Sequence, residues 1–271
     1  MQALATVYDG DSPVKALTSE PFTAVSYGTQ TVLMEDVWED AILWDIGQPH
    51  LYRMEVSLYD GQALLHCTSC RFGFREFWHE GIHFFLNGKR INLRGDSYHF
   101  HGPVQTTRAF AENWYRMCKE NGANYVRLHA NPYPSIYLDV ADEMGMLIVD
   151  ETALCGSNTI MASGDARYIE RCQKHISRFV QRDRNHPSVI LWSLENEHYG
   201  SRGVIFFKNH LKRFVSIAHK NDPTRLSYFE GDRILLPEKD TVIISDHYSQ
   251  TPLSEWVGTK KKPLIVGEHS Y

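Results

Sequence analysis

Hydrophobic and polar side chains alternate in the first part of the chain, up to about residue 80. The segment LYRMEVSLYDGQALLHC, residues 51–67, changes character at every second position over its first half, as a strand with one buried face does. The Asp-Gly pair at residues 60–61 has the chemistry of a hairpin turn, and the Asn-Gly pair at residues 87–88 marks a second hairpin between apolar runs. We therefore interpret residues 1–80 as a partial β-sandwich.

After residue 80, apolar strands alternate with amphipathic segments of helical period. Continuous apolar strands joined by helices indicate a parallel sheet that is covered on both faces. Seven such strands are one short of a closed (β/α)8 barrel. We expect an α/β TIM barrel over residues 81–271 that is truncated after strand 7, with its eighth strand beyond Tyr271. The predicted strands are RINLRGDSYHF, ANYVRLH, MLIVDE, SVILWSLENE, RLSYFEG, TVIISDH and PLIVGE.

Four helices are predicted between these strands. The first stops at Gly122 and the second at Gly145, because glycine ends helices readily. The third begins after Asp165, a good N-cap residue, and the fourth covers residues 203–221.

Composition and charge exclude several classes of partner. The formal net charge is −5, from 28 basic and 33 acidic residues, and no basic block suggests nucleic acid. No apolar run reaches the roughly 18 residues of a transmembrane helix, and the N-terminus lacks the pattern of a signal peptide. Of the five cysteines, Cys67 and Cys70 form one C-x-x-C without a second pair at zinc-finger spacing. Compartment and oligomeric state are not readable from these features.

Polar groups stand at the end of every predicted barrel strand, and six of the seven ends carry an acid. In a TIM barrel the carboxyl ends of the strands hold the reacting groups. The sequence therefore predicts a pocket rich in carboxylates. In strand order, the residues are Asp96, His99, His101; Arg127, His129; Asp150, Glu151; Glu195, Asn196, Glu197; Glu230, Asp232; Asp246, His247, Tyr248; and Glu268, His269.

Glycoside hydrolases use a pair of carboxylic side chains as their catalytic groups. Strands 4 and 7 lie three apart in a ring of eight, so Glu197 and Glu268 would face each other at the ~5–5.5 Å of a retaining enzyme. Aromatic side chains near the strand ends suit stacking against sugar rings, although packing is the better interpretation for Trp192. The other aromatic residues are Tyr98, Tyr199 and Tyr248.

Six segments carry a resemblance to a known family: RFGFREF, FFLNGKRINLRGDSYH, NYVRLH, LDVADEMGMLIVDET, NHPSVILWSLENE and KPLIVGEHSY. Together they resemble glycoside hydrolase family 2, the family of β-galactosidases, β-glucuronidases and β-mannosidases. The match runs from Leu43 to the last residue in one order. It implies an immunoglobulin-like β-sandwich before the barrel, and a retaining, exo-acting β-glycosidase that needs no cofactor and acts on carbohydrate.

The resemblance also implies roles for single residues. Glu197 corresponds to the general acid/base, Asn196 to the residue that holds the sugar 2-hydroxyl, and Glu268 to the nucleophile. Tyr248 corresponds to a tyrosine that touches the nucleophile. Orienting or sugar-binding roles are implied for Arg94, His99, Arg127 and Asp150.

The sequence departs from the family at three places. Glu195 stands where galactosidases often have glycine before the Asn-Glu pair. Cys155 and Ser157 replace a Glu-x-His that helps some members hold magnesium, so no metal site is expected. The segment VRLHANPYP lacks the usual Ser-His-Tyr-Pro order, which leaves His129 without a carried-over role.

Two other classes remain open at this stage. A metal-dependent barrel hydrolase would use the His99-x-His101 pair, with His247 as a further ligand. A carbohydrate-binding relative without activity is the third possibility. Within the family, a β-galactosidase is the first expectation on family frequency alone, and β-glucuronidase and β-mannosidase are the alternatives.

Overall fold

The computed structural model of the chain describes residues 1–100, 102–156, 165–197, 204–231, 242–248 and 261–269. The fourteen strands of this part are β1 (Gln2–Asp9), β2 (Ser12–Thr18), β3 (Tyr52–Asp60), β4 (Ala63–Phe72), β5 (Phe77–Glu80), β6 (His83–Leu86), β7 (Lys89–Ile91), β8 (Gly95–Tyr98), β9 (Tyr125–Leu128), β10 (Leu147–Glu151), β11 (Val189–Asn196), β12 (Leu226–Glu230), β13 (Ile244–His247) and β14 (Leu264–Glu268). The α-helices are α1 (Arg108–Glu120), α2 (Ile136–Met144), α3 (Ala166–Asp183) and α4 (Val204–Asn221). Within the described residues, no helix is both long enough and apolar enough to span a membrane.

The N-terminal strands form one antiparallel sheet in the order β2-β1-β3-β4. The predicted hairpin at the Asp-Gly pair is confirmed: β3 and β4 are joined by two residues, and Gly61 has φ +54°. Residues 1–76 hold this single sheet, and the partial sandwich over residues 1–80 stays a prediction. Strand β4 leaves Leu64 and Leu65 about half exposed.

A small antiparallel sheet, β5-β6-β7, connects the two parts of the chain. The Asn-Gly hairpin is confirmed between β6 and β7, because Asn87 and Gly88 both have positive φ (49° and 78°) as a type I′ turn demands. The Asn87 side chain donates to the carbonyl of Trp44 (2.9 Å) and accepts from the amide of Glu76 (3.0 Å). The turn is therefore tied to the chain that precedes it.

The barrel region contains the seven predicted parallel strands. Five form one sheet in the order β12-β11-β10-β9-β8, and β13 pairs with β14. Strands β12 and β13 pack side by side, and the amide of Gly231 bonds to Ser245 Oγ at 3.0 Å. The ladders of the described residues do not form a closed barrel.

Buried side chains divide into two clusters, one on each face of the parallel sheet. The outer cluster includes the buried residues of the helices, and the inner cluster lies on the opposite face. Val149 joins one cluster and its neighbour Ile148 the other, because successive residues of a strand point to opposite faces. The outer cluster includes the predicted face of α3, whose buried residues are Ile169, Cys172, Ile176, Phe179, Val180 and Asp183. The inner cluster includes Trp44, Phe77, Phe84 and Leu86 from the N-terminal region.

The predicted helix ends are confirmed where the structure describes them. The Asp165 carboxylate accepts from the Arg167 amide at 2.8 Å and caps α3. Gly145 ends α2 in the left-handed conformation, and a Cβ there would come within 2.5 Å of the Ile46 carbonyl oxygen. Glycine is thus required both by φ and by the close approach of the N-terminal segment.

Trp44 is the main anchor of the N-terminal region on the barrel. Its side chain is fully buried, and its indole N–H donates to the Asp142 carbonyl at 2.8 Å. Arg75 adds a bond from Nε to the Pro187 carbonyl (3.1 Å) and another to the Val189 carbonyl (2.5 Å). These contacts hold α2 and the amino end of β11 and leave the carboxyl end of β11 for the site.

Candidate active site

Arg127 lies at the centre of a charged cluster at the carboxyl ends of the barrel strands. Its Nε and Nη2 donate to the two oxygens of Glu151 at 2.9 and 3.0 Å. Nη2 also donates to Asn196 Oδ1 (2.7 Å), and Nη1 donates to Glu268 Oε1 (3.0 Å). Burial alone would lower the pKa of Arg127, but the charges of Glu151 and Glu230 outweigh it and hold the pKa well above its ordinary value. The guanidinium therefore fixes three strand ends with one permanent charge.

Glu268 is held as a carboxylate by several donors. Besides Arg127, His129 Nε2 lies 3.2 Å from its Oε1, and the Tyr248 hydroxyl donates to its Oε2. Burial would raise the pKa of Glu268, but the bonds to His129 and Tyr248, with the charges of His247 and Arg127, hold it well below the usual range. A carboxylate that stays ionised at this position has the properties of a nucleophile.

Glu197 approaches Glu268 from the end of β11. One oxygen of Glu197, one of Glu268 and a ring nitrogen of His247 all lie within 4.8 Å of one another. The Glu197 side chain is 41% exposed, and its Oε1 lies 2.7 Å from His247 Nδ1. The approach of Glu197 and Glu268 oxygens within 4.8 Å is well short of the ~6.5–9.5 Å separation of an inverting pair.

A bulge in β11 decides which acid of the Glu-Asn-Glu segment reaches the cluster. Pairing with β12 runs from Ser193↔Tyr228 to Asn196↔Glu230, so β11 has one extra residue. Asn196 consequently takes the inward place that Glu195 would have in a regular strand. Glu195 is fully buried, whereas Glu197 is partly exposed.

A second bulge brings Glu268 to the inside. Strand β14 pairs with β13 as Asp246↔Val266 and then His247↔Glu268, so Gly267 is the extra residue. Because Ile265 faces the inner cluster, regular alternation would turn Glu268 outward. A Cβ at position 267 would collide with the Glu230 carboxylate, which explains the glycine.

Left-handed backbone ends two of these strands. Glu197 and Tyr248 both have φ +51° directly after β11 and β13. The amide of Glu197 still bonds to the Glu230 carbonyl (3.0 Å), and that of Tyr248 to the Glu268 carbonyl (2.9 Å). Non-glycine residues pay roughly 1–2 kcal/mol for this conformation, and such residues concentrate at functional sites.

Asn196 presents its amide nitrogen away from Arg127. Its Oδ1 accepts from Arg127, and its Nδ2, which donates one N–H to Cys155 Sγ at 3.7 Å, carries a second N–H. The Asn196 backbone amide bonds to the Leu154 carbonyl at 2.8 Å. The orientation fits a donor for a sugar hydroxyl.

Two residues assigned to the site from the sequence do not join this cluster. Arg94 is exposed at the amino end of β8, where its carbonyl accepts from the Asn124 amide. Asp150 shares the outer face of β10 with Ile148, and the charges that act on it are Asp183 and Arg182 of α3. Both corrections follow from strand geometry. Arg94 lies at the amino end of its strand, away from the cluster, and alternation along β10 turns Asp150 to the outer face.

The remaining assigned residue, His99, lies at the edge of the cluster. It is exposed, and its ring centroid is 4.0 Å from that of His129. His101, Asp232 and Tyr199 fall outside the described residues, as does the Tyr98 side chain. Trp192 is fully buried and donates to Asp222 (3.0 Å), so its packing interpretation is confirmed.

Four residues of the cluster received no role from the sequence. His129, Glu151, Glu230 and His247 were visible as polar strand ends, and all four lie on the inner face or contact it. Alternation along the strand is the signal that could have found them. Glu151 shares a face of β10 with Leu147 and Val149, and Glu230 shares a face of β12 with Tyr228. These three apolar residues belong to the inner cluster.

The trio of Glu197, His247 and Glu268 is close enough to hold a metal ion by distance alone. The charges argue against a metal here. Arg127 and the Tyr248 hydroxyl already bond to Glu268, and His247 bonds to Glu197 and Glu230 through its two ring nitrogens. We assign no metal to these residues.

Comparison with known families supports the resemblance. The family described as "Glycosyl hydrolases family 2, TIM barrel domain" matches residues 80–270, and "Glycosyl hydrolases family 2" matches residues 3–75. The chain belongs to glycosyl hydrolase family 2. Membership confirms the TIM-barrel class for the second region and removes the metal-dependent barrel hydrolase as an alternative.

Curated relatives of this family 2 chain are β-galactosidases. It is 31% identical over 266 residues to that of Yersinia pseudotuberculosis, and 30% over 256 residues to that of Yersinia enterocolitica. These alignments cover 90% and 86% of the chain but 24% and 23% of the relatives. The chain thus spans about a quarter of the length of the curated relatives it matches.

Solved structures of similar fold are β-glucuronidases. Bacteroides uniformis β-glucuronidase 3 is 29% identical, with a TM-score of 0.70 over 93% of this chain and 31% of that one. Bacteroides uniformis β-glucuronidase 2, covalently bound to cyclophellitol-6-carboxylate aziridine, has a TM-score of 0.82 at 23% identity, over 99% of this chain and 36% of that one. The second likeness concerns the fold alone.

Asp150→Asn tests the placement of Asp150 outside the site. Burial and the nearby charge of Asp183 hold the pKa of Asp150 well above its ordinary value. The folded chain therefore binds this proton more tightly than the unfolded chain, and the wild type loses stability as pH rises above about 4, by up to ~1.4 kcal/mol per pH unit. Urea unfolding at several pH values should show a weaker decline for Asp150→Asn. A large increase in KM without loss of stability would contradict the placement.

Proposed function

We propose that this chain carries the catalytic pair of a retaining, exo-acting β-glycosidase, with Glu268 as nucleophile and Glu197 as acid/base. The observation that supports the proposal is the approach of the two carboxylates within 4.8 Å, at the ends of strands 4 and 7 of the barrel region. We also propose the layout of an immunoglobulin-like region over residues 1–80 and a catalytic barrel over residues 81–271.

In the first step, Glu268 attacks the anomeric carbon while Glu197 protonates the leaving oxygen. Arg127 and Tyr248 hold the Glu268 carboxylate, so attack needs little reorientation of the nucleophile. In the second step, Glu197 removes a proton from water, and the hydroxide oxygen displaces Glu268 with overall retention of the β configuration.

Asn196 and the residues around it would bind the sugar. Its Nδ2 is oriented by the bond of Oδ1 to Arg127, and in this position it can donate to the 2-hydroxyl. Such a bond contributes to catalysis when it strengthens in the transition state. His99, exposed beside His129, is the other described candidate for a sugar contact.

We propose β-galactoside as the first substrate class and β-glucuronide as the second. The curated β-galactosidases at 30–31% identity support the first, and the β-glucuronidase structures at up to 29% identity support the second. A uronate carboxylate needs a cationic partner. Arg127, the buried cation of the described cluster, already makes four hydrogen bonds to protein oxygens, which favours an uncharged sugar.

A mechanism-based 2-fluoro β-glycoside should label Glu268. The fluorine slows the second step, so the covalent glycosyl-enzyme accumulates, and peptide mass spectrometry locates it. Glu268→Gln is the control that should prevent labelling. Labelling of a different residue would overturn the assignment, and absence of labelling in the active, full-length protein would favour a carbohydrate-binding role.

Glu197→Gln should affect substrates according to their leaving groups. Glycosides with poor leaving groups need the general acid, and their kcat/KM should fall by about 10²–10⁴-fold. Activated aryl glycosides should keep most of the rate of the first step, and azide should accelerate the second. Equal losses for both substrate classes would contradict the acid role.

A panel of nitrophenyl β-glycosides should separate the sugars. We expect the highest kcat/KM for the galactoside in the full-length protein, ahead of the glucuronide and the mannoside. A glucuronide preference of tenfold or more would reverse the order of the two substrate classes without changing the catalytic pair.

A further inference from the structure

We propose that His247 is a positioning residue for Glu197: an imidazolium anchored on Glu230 donates a hydrogen bond to the acid/base and fixes the alkaline limb of the pH–rate profile. The inference rests on the proposed function, because it assumes that Glu197 is the acid/base. It concerns a residue that the family resemblance leaves without a role.

His247 connects the acid/base to a buried carboxylate. Its side chain is 4% exposed, with Nδ1 2.7 Å from Glu197 Oε1 and Nε2 3.2 Å from Glu230 Oε1. The same Nδ1 lies 3.8 Å from Glu268 Oε1. The ring therefore uses both nitrogens on carboxylates and stands between the two proposed catalytic groups.

Glu230 is built as a fixed anion behind the ring. It is fully buried, accepts from Ser245 Oγ at 2.6 Å and from the Tyr228 hydroxyl, and lies 3.8 Å from Arg127 Nε. Burial would raise the pKa of Glu230, but Arg127 and His247 outweigh it and lower the pKa to about 2. A permanent negative charge thus faces Nε2.

The backbone beside His247 and Glu230 has no room for a side chain at two glycine positions. A Cβ on Gly231 would stand 2.6 Å from His247 Nδ1, and one on Gly267 would stand 2.8 Å from Nε2 and collide with Glu230. Gly231 also has φ +71°, which favours glycine. Glycine directly after β12 and glycine within β14 therefore make room for the pair of His247 and Glu230.

The ring carries a proton on each nitrogen at neutral pH. Burial would lower the pKa of His247, but hydrogen bonds to Glu197 and Glu230, together with the charge of Glu230, raise it to about 9 against the opposing charge of Arg127. The titratable and charged groups that face the ring are Glu197, Glu230, Glu268, Arg127 and Tyr248.

The proposed role follows from the charge of the ring. When Glu197 gives its proton to the leaving oxygen, the carboxylate that remains is already bonded through Oε1 to the imidazolium N–H, so its new charge is met without reorganisation. No proton leaves His247 in either step. The charge that develops on the acid/base as it gives up its proton is therefore paired from the start, and the pH dependence of this step follows the charge of the ring.

The test is the pH profile of kcat/KM for a substrate with a poor leaving group, measured in the full-length protein. His247→Asn keeps an N–H donor near Glu197 and removes the charge. We expect its alkaline limb to move up by about 1–2 pH units, the effect of deleting one adjacent charge. His175→Asn, on the outer face of α3, is the matched control and should leave the limb in place.

Glu230→Gln gives a second route that keeps the ring. Without the anchoring anion the imidazolium loses its proton at lower pH, so the alkaline limb should again move up. Labelling of Glu268 by the 2-fluoro glycoside verifies that each variant has a folded site. An unmoved limb in either labelled variant would overturn the role of His247, whereas a wild type that is not labelled at Glu268 would overturn the proposed function instead.

Discussion

The buried guanidinium of Arg127 is the interaction on which the rest of the site depends. It joins β9 to β10, β11 and β14 by hydrogen bonds to Glu151, Asn196 and Glu268. Breaking such a buried, paired charge costs about 3–5 kcal/mol, because the partner charges remain buried without compensation. The same cation that holds the strand ends together also helps to keep Glu268, the proposed nucleophile, ionised.

The cluster sets more carboxylates than cations against one another. Four carboxylates, those of Glu151, Glu197, Glu230 and Glu268, surround Arg127 and His247. Of Glu197 and Glu268, Glu268 pairs with Arg127 at 3.0 Å and Glu197 pairs with His247 at 2.7 Å. The two acids with opposite proposed tasks therefore have different cationic partners, which is how a pocket of like residues can separate a nucleophile from an acid/base.

Much of the fold was predictable because it depends on local patterns. Turn residues located both hairpins, apolar runs located six of the seven parallel strands, and Asp165 located the start of α3. The exception is β8, because the apolar start of its predicted segment belongs to β7. What covers the N-terminal sheet was not predictable from β3 and β4, since alternation along a strand says nothing about what lies against its buried face. Asp150 was misplaced for a related reason: the sequence of a strand buried on both faces does not reveal which alternate residues point inward. Arg94 was misplaced because β8 begins only after it.

The sequence by itself determined the family, through motifs that survive without coordinates, and the same motifs are the source of the two proposed catalytic glutamates. Only the tertiary structure decided how those glutamates reach one pocket. One extra residue in β11 turns Asn196 inward in place of Glu195. In β14 the extra residue is Gly267, and it turns Glu268 inward. A bulge is a property of the pairing between two strands, so neither strand's own sequence contains it. The role of His247 likewise arises from three strands meeting, because the carboxylates that keep its ring charged are contributed by β12 and by the end of β11.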